Sequence, residues 1–289
     1  MKPLFIWAGG KNKMIKNYLQ EISQLGKIDT MVEPFFGGGA MTIYMHENYP
    51  DIQKFIINDI KPEIIGIYMA IKNDVETFIS ELRRYDSEYI PLDKAGRSEY
   101  YYLRRTQHAF EYENMTPTQV AALLYFLMRT SFNGIWQINI NTGGRYGTPA
   151  GLLNQKDSCF EYENIMEWNV FLQKADLYSE DWKSVSENYI KNKTFFFFDP
   201  PYRDSFTQYG GEFNDDHQKE LIEFCNELPD NCKVFLTNRD EGDGFFDVLV
   251  NGEKLNIKRI PVTYTAGRRK KTDDGFEAKP ATEVLIHTR

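Results

Sequence analysis

Cysteine is scarce in this chain and carries no pattern. The three residues, Cys159, Cys225 and Cys232, are odd in number and lack metal-ligand spacing, which excludes a disulfide framework. With only four histidines, scattered along 289 residues, structural zinc is excluded in the same way and no metal is expected. No cysteine precedes a proline, so no thiolate nucleophile is expected and all three read as buried, inert thiols. Long apolar runs are missing too. None approaches the roughly 20 residues needed to span a bilayer, and the opening residues 1–7 are too short for a secretory segment. The expectation is a soluble cytoplasmic protein with no membrane partner. Positive charge is not in excess: 34 Lys and Arg stand against 42 Asp and Glu, a net charge of −8, which disfavours a nonspecific polyanion binder. Arg83-Arg84, Arg104-Arg105 and Arg268-Arg269-Lys270-Lys271 are candidates for a local basic face, or simply solvated surface. Internal repeats and low-complexity linkers are absent as well.

What is present is ample apolar material, 42% hydrophobic and 15% aromatic, enough for one large domain or a domain with a sizeable insertion. The organising stretch is Phe195-Phe196-Phe197-Phe198-Asp199-Pro200-Pro201-Tyr202. Four apolar residues in a row predict a short strand buried on both faces, as in a parallel sheet. Two prolines then hold the backbone extended, remove two N–H donors and leave carbonyls as acceptors. A carboxylate, a fixed carbonyl and an aromatic ring at the carboxyl edge of a parallel sheet suit a planar base bearing an exocyclic amine. A strand ending in a proline turn, with Tyr202 as packing, is the alternative.

Earlier in the chain, Trp7-Ala8-Gly9-Gly10-Lys11 puts a lysine after a glycine turn and before a helical pattern through Ile15, Leu19 and Ile22, a place suited to an anion, though a plain flexible turn would look similar. Residues 29–35 predict a strand, and Phe36-Gly37-Gly38-Gly39 leads into a helix through Met41, Tyr44 and Met45. A strand, a glycine turn and a helix let backbone approach a nucleoside-type cofactor closely, although the dinucleotide spacing is not met. A second strand, residues 54–57, ends in Asn58-Asp59, and Asp59 lies at the separation from Gly39 at which an acid meets ribose hydroxyls. It could equally cap the helix that starts near Pro62.

Residues 62–129 read as helical, with Thr116-Pro117 opening the last helix. Residues 131–151 then change character, being rich in glycine, amides and aromatics, a makeup that rarely forms core but can face base edges and unstacked bases. A helix follows Asn164, and residues 176–182 read as a strand whose Asp181 could accept from an adenine amine or cap the next helix. Residues 203–213 read as a mobile lid, 215–228 as a helix, 232–236 as a strand, and 257–264 with 281–287 as a closing antiparallel pair joined by a basic loop. The expected fold class is α/β, with a mixed, mostly parallel sheet and a helical and loop insertion.

In this order, Trp7-Ala8-Gly9-Gly10-Lys11, Glu33-Pro34-Phe35-Phe36-Gly37-Gly38-Gly39, Asn58-Asp59-Ile60, Phe132-Asn133-Gly134 and Asp199-Pro200-Pro201-Tyr202, the chain resembles the Dam-type N6-adenine DNA methyltransferases over most of its length, in the alpha arrangement. The resemblance implies a Rossmann-like methyltransferase fold, with residues 1–62 and 176–289 catalytic and 63–175 a target-recognition insertion. It implies S-adenosylmethionine as cofactor, held by Trp7, Ala8, Gly9, Gly10, Lys11, Glu33, Pro34, Phe35, Gly37, Gly38, Gly39, Asp59 and Ile60, and less directly by Asp181 and Trp182. Catalysis would fall to Asp199, Pro200, Pro201 and Tyr202, and contacts to double-stranded DNA to Arg129, Phe132, Asn133, Gln137, Arg145, Tyr146, Pro149, Arg268 and Arg269. The implied activity is site-specific N6-methylation of an adenine flipped out of duplex DNA, in a phage or bacterial setting with room for a cognate restriction enzyme, by a monomer or weak dimer. Relatives that act on GATC typically carry arginine three residues after Phe-Asn-Gly. Here that position is Gln137, which pairs more naturally with adenine, so a non-GATC target is expected, with Arg145 as a replacement contact. Methylation of RNA or of a protein glutamine, or a catalytically silent DNA-binding protein, are the other readings.

Overall fold

The computed structural model describes residues 1–7, 14–203, 213–263, 270–272, 275–277 and 280–289, with backbone alone for 270–272 and 275–277. After the one-turn helix α1 (Leu19–Ile22), the chain alternates β1 (Thr30–Glu33), α2 (Ala40–Asn48) and β2 (Lys54–Asn58). Four helices follow, α3 (Pro62–Asn73), α4 (Val75–Tyr89), α5 (Lys94–Phe110) and α6 (Pro117–Thr130), then a hairpin of β3 (Ile138–Asn139) and β4 (Arg145–Tyr146), and α7 (Tyr162–Leu172). Alternation resumes with β5 (Ala175–Tyr178), α8 (Trp182–Glu187), β6 (Thr194–Phe198), α9 (Asp215–Glu227), β7 (Lys233–Asp240), α10 (Phe245–Leu249) and β8 (Leu255–Thr263). The short pair β9 (Lys270–Thr272) and β10 (Gly275–Glu277) precedes the last strand, β11 (Pro280–Thr288).

Seven strands form one sheet in the order β5-β2-β1-β6-β7-β11-β8. The first five are parallel, and β11 runs antiparallel to both β7 and β8. This is the mixed, mostly parallel sheet of a Rossmann-like methyltransferase fold. The phenylalanine run explains the centre. Phe195 and Phe197 enter the core on one face, Phe196 and Phe198 the core on the other, and all four are at most 1% exposed.

The larger core runs from the sheet through Met41, Phe55 and Trp168 to Tyr68 and Phe126, so the helices between β2 and β5 share one apolar interior with the sheet. At the heart of that interior is α6, whose residues 121–128 are all buried. Its start is set by a capping box between Thr116 and Gln119 with Pro117 in the first turn.

Three sequence expectations are corrected. β1 stops at Glu33, because Pro34 has no N–H with which to continue the ladder. β7 extends to Asp240, since the antiparallel partner β11 pairs that far. Residues 131–151 are not a core-free loop: they carry the β3–β4 hairpin, and Trp136 and Tyr146 are buried.

The carboxyl ends of three strands are tied by one buried amide. Asn58 Nδ2 donates to the carbonyls of Pro34 (2.9 Å) and Glu180 (3.1 Å), and its Oδ1 accepts the Glu180 N–H (2.9 Å). Asn58→Leu keeps the volume and strands these groups, so it is expected to destabilise the fold by about 2–3 kcal/mol. Urea unfolding of both proteins checks this, and an unchanged midpoint would contradict it.

Candidate active site

From β1 the chain proceeds outward to β2 and β5 on one side; from β6 it proceeds to β7 on the other. The two diverging connections leave a crevice beyond the carboxyl ends of β1 and β6, where ligands of open α/β sheets bind. Two of the sequence motifs meet at this point: residues 34–39 follow β1, and Asp199-Pro200-Pro201-Tyr202 follows β6.

The proline turn is held from outside its own strand. Thr237 on β7 donates its hydroxyl to Asp199 Oδ1 at 2.8 Å. Gln218 on α9 donates to the Pro201 carbonyl at 2.7 Å and accepts from Asn238 Nδ2 at 2.9 Å. Tyr202 donates its phenol to Glu283 Oε1 on β11 at 3.0 Å. Arg203 closes the turn. Its guanidinium grips Asp215 through both oxygens (2.8 and 2.9 Å), reaches Asp243 at 2.9 Å and lies 3.8 Å from the centroid of the Phe245 ring. Sequence reading missed Thr237, Gln218 and Glu283. The available signal was a polar Thr-Asn ending the apolar run Val234-Phe235-Leu236 at the functional edge of the sheet.

On the β1 side, Gly37 and Gly39 adopt positive φ of 50° and 65°. A Cβ on Gly37 would fall 2.5 Å from Trp7 Nε1, and one on Gly39 would fall 2.3 Å from Phe36 Cζ. Glycine is therefore required here by both conformation and space. Trp7 lies against this loop. Asp59 accepts the Gly37 N–H (2.9 Å) on one oxygen and the Lys61 N–H (3.0 Å) on the other. Burial raises its carboxyl above the usual range, and these backbone bonds work against that. Each oxygen has a second lone pair. Pro34 is buried, Phe35 half-buried and Ile60 61% exposed. Phe35 stacks at 6.2 Å on Trp182, which is buried against Phe198 and Phe224. Asp181 is exposed and caps α8, accepting from the N–H groups of Lys183 and Ser184. Ala8, Gly9, Gly10 and Lys11 lie outside the described residues.

The expected DNA-contacting residues fall into separate groups. Arg129, Phe132 and Asn133 line one cleft of about 240 Å³, together with Ile6 and Leu152. Phe132 is 46% exposed and Asn133 has positive φ (53°), whereas Arg129 is engaged with the Cys159 carbonyl and Glu161. Gln137 sits at the base of the hairpin, its backbone bonded to Thr148 and Gly147. The Arg145 guanidinium carbon lies over the Tyr112 ring, 3.3 Å from its centroid, and Tyr146 is buried against Trp136. Pro149 is exposed, and its carbonyl accepts the Phe132 N–H. Arg268, Arg269 and the expected lid at 204–212 lie outside the described residues. All three cysteines are buried with free thiols, and burial raises each thiol pKa. Among the described residues, no group of three or more His, Cys, Asp and Glu could hold a metal, and no helix is long and apolar enough to cross a membrane.

Glu33, at the end of β1, is 2% exposed. Its Oε2 accepts both the backbone N–H (3.0 Å) and the hydroxyl (2.5 Å) of Thr42. Burial pushes its carboxyl up to about 8, with the charge of Asp199 adding to the rise, so it is protonated at neutral pH. The folded state therefore holds this proton more tightly than the unfolded chain, and that contribution to stability is full below the ordinary pKa of 4.5 and is lost as pH rises through about 8. Glu33→Gln keeps the acceptor and removes the titration. Wild type is expected to lose melting temperature relative to this variant between pH 5 and 8, with the gap level above; parallel curves would contradict the assignment.

The sequence model for D12 class N6 adenine-specific DNA methyltransferases matches residues 7–264. The chain is 32% identical over 271 residues to the type II methyltransferase M.MjaIII of Methanocaldococcus jannaschii, covering 90% of this chain and 91% of that one. It is 26% identical to the type II methyltransferase M.CviBI of Paramecium bursaria Chlorella virus NC1A, covering 88% and 89%. To the DNA adenine methylase of Vibrio cholerae it is 25% identical, covering 91% of each. With the family's match running from Trp7 past the proline turn and into the antiparallel wing, this chain belongs to the D12 class of N6 adenine-specific DNA methyltransferases.

Proposed function

We propose that the protein transfers a methyl group from S-adenosylmethionine to the N6 amine of an adenine flipped out of duplex DNA, as a site-specific adenine DNA methyltransferase. The observation that carries this reading is the meeting of a glycine loop with an Asp-Pro-Pro-Tyr turn at one switch point of the sheet, inside a family match that spans both.

The residues on the β1 side fit the cofactor. Gly37 and Gly39 leave no room for a side chain against Trp7 and Phe36, Asp59 is a buried acceptor at the end of β2, and Phe35 offers a half-buried ring. Asp59 would take the ribose hydroxyls on its remaining lone pairs, and Phe35 with the glycine loop would line the nucleoside. The cofactor supplies an electrophilic sulfonium methyl.

The protein's own part is to make the amine a nucleophile. In adenine the N6 lone pair is delocalised into the ring. Asp199 and the Pro200 carbonyl, accepting hydrogen bonds from the two amine N–H groups, favour a more tetrahedral nitrogen whose lone pair is available for in-line attack; transfer would leave the methyl–sulfur bonding pair on a neutral thioether, and the alkylated nitrogen would return to neutrality by releasing one of its protons. No covalent intermediate on the protein is needed, and positioning supplies much of the acceleration. Extruding the base costs a few kcal/mol. Stacking on Tyr202, about 1–3 kcal/mol, offsets part of that. Residues 63–175 would serve as the target-recognition insertion. Gln137 supports a target other than GATC, with Arg145, paired with Asn139 on the same hairpin, as the replacement contact.

Asp199→Ala is expected to lower kcat by at least about 10²-fold, the scale of losing one preorganised electrostatic partner, with S-adenosylmethionine affinity retained in calorimetry. Near wild-type turnover would contradict the role given to Asp199. Single-molecule sequencing of DNA methylated by the wild type should find modified adenines outside GATC; modification confined to GATC would sink the specificity proposal.

A further inference from the structure

The catalytic turn hangs between the parallel sheet and the antiparallel wing. Across the β7–β11 ladder Thr237 pairs with Leu285, and Glu283 lies two residues before Leu285, so Thr237 and Glu283 present their side chains to the same sheet face. Both are enclosed, at 0% and 2% exposure. From that face one hydroxyl reaches Asp199 and one carboxylate receives the phenol of Tyr202. Thr237 Oγ1 is also 3.4 Å from the Phe198 carbonyl, but the 2.8 Å contact to a carboxylate is the stronger use of its single proton.

Neither residue belongs to the motifs that identify the family in this sequence, and both occupy positions where an apolar side chain would suit the surrounding core. We propose that Thr237 and Glu283 are positioning residues for methyl transfer. Thr237 fixes which Asp199 oxygen is engaged and holds the rotamer of the accepting carboxylate. Glu283 fixes the plane of the Tyr202 ring on which the base stacks. Because both sit on neighbouring strands of one rigid ladder, carboxylate and ring are held in one frame. This inference rests on the methyl-transfer reading above.

Steady-state methylation of duplex DNA by variants of the full chain tests it. Thr237→Val should lower kcat about 10–100-fold, the equivalent of one hydrogen bond to a charged group, with KM for cofactor and DNA within about twofold. Thr237→Ser should restore most of the loss. Tyr202→Phe and Glu283→Met should each lower kcat, and the double variant should be no worse than Glu283→Met alone, because that variant already removes the Tyr202 bond together with the Tyr18 contact at 3.5 Å. Wild-type turnover in Thr237→Val, or fully additive losses in the Tyr202–Glu283 cycle, overturns the proposal while leaving the methyl-transfer reading intact. Failure of the wild type to methylate adenine overturns that reading and this inference with it.

Discussion

The parallel pairing of β1 with β6 is the constraint on which the rest of the structure depends. Thr30, Met31 and Val32 pair in register with Thr194, Phe195 and Phe196, so the two strands end side by side. Because the chain then departs in opposite directions, the glycine loop and the proline turn are left facing one crevice. The four buried phenylalanines matter for this reason: they lock β6 between two cores, and the abrupt change at Asp199 falls where the sheet ends.

The crevice is also tied to the turn at Phe132-Asn133-Gly134. Ile6 and Trp7 run between the two: Trp7 covers the Gly37 loop, while a Cβ on Gly134 would fall 2.7 Å from Ile6 Cβ. Trp7 and Trp136 lie 6.2 Å apart, and the Lys61 ammonium sits 5.2 Å from the Trp136 ring. A strap of N-terminal residues thus packs on the Gly37 loop and on the turn at Phe132-Asn133-Gly134 together.

Much of this was legible in the sequence where a local pattern carries the information. An unbroken apolar run followed by Pro-Pro marks a buried strand and its end; three glycines before a helical period mark a tight turn. The fold class and the pairing of β8 with β11 followed from such patterns. What escaped was non-local. Thr237, Gln218 and Glu283 are single polar residues from three elements, up to 65 positions apart, and only the folded arrangement of two strands and a helix brings them to one turn. Asp181 and Asp59 were ambiguous for a different reason. A carboxylate at a strand end can satisfy neighbouring backbone N–H groups and still accept from a ligand, and both residues do the first. The segment 131–151 misled because Trp136 and Tyr146 are surrounded by glycines and amides, a composition that hides two core residues.

The most direct test of the central claim is chemical identification of the product. Unmethylated duplex DNA incubated with the protein and labelled S-adenosylmethionine is digested to nucleosides and resolved. The account predicts label in N6-methyladenine. Label in another nucleoside, or none in DNA while the cofactor binds, would contradict it.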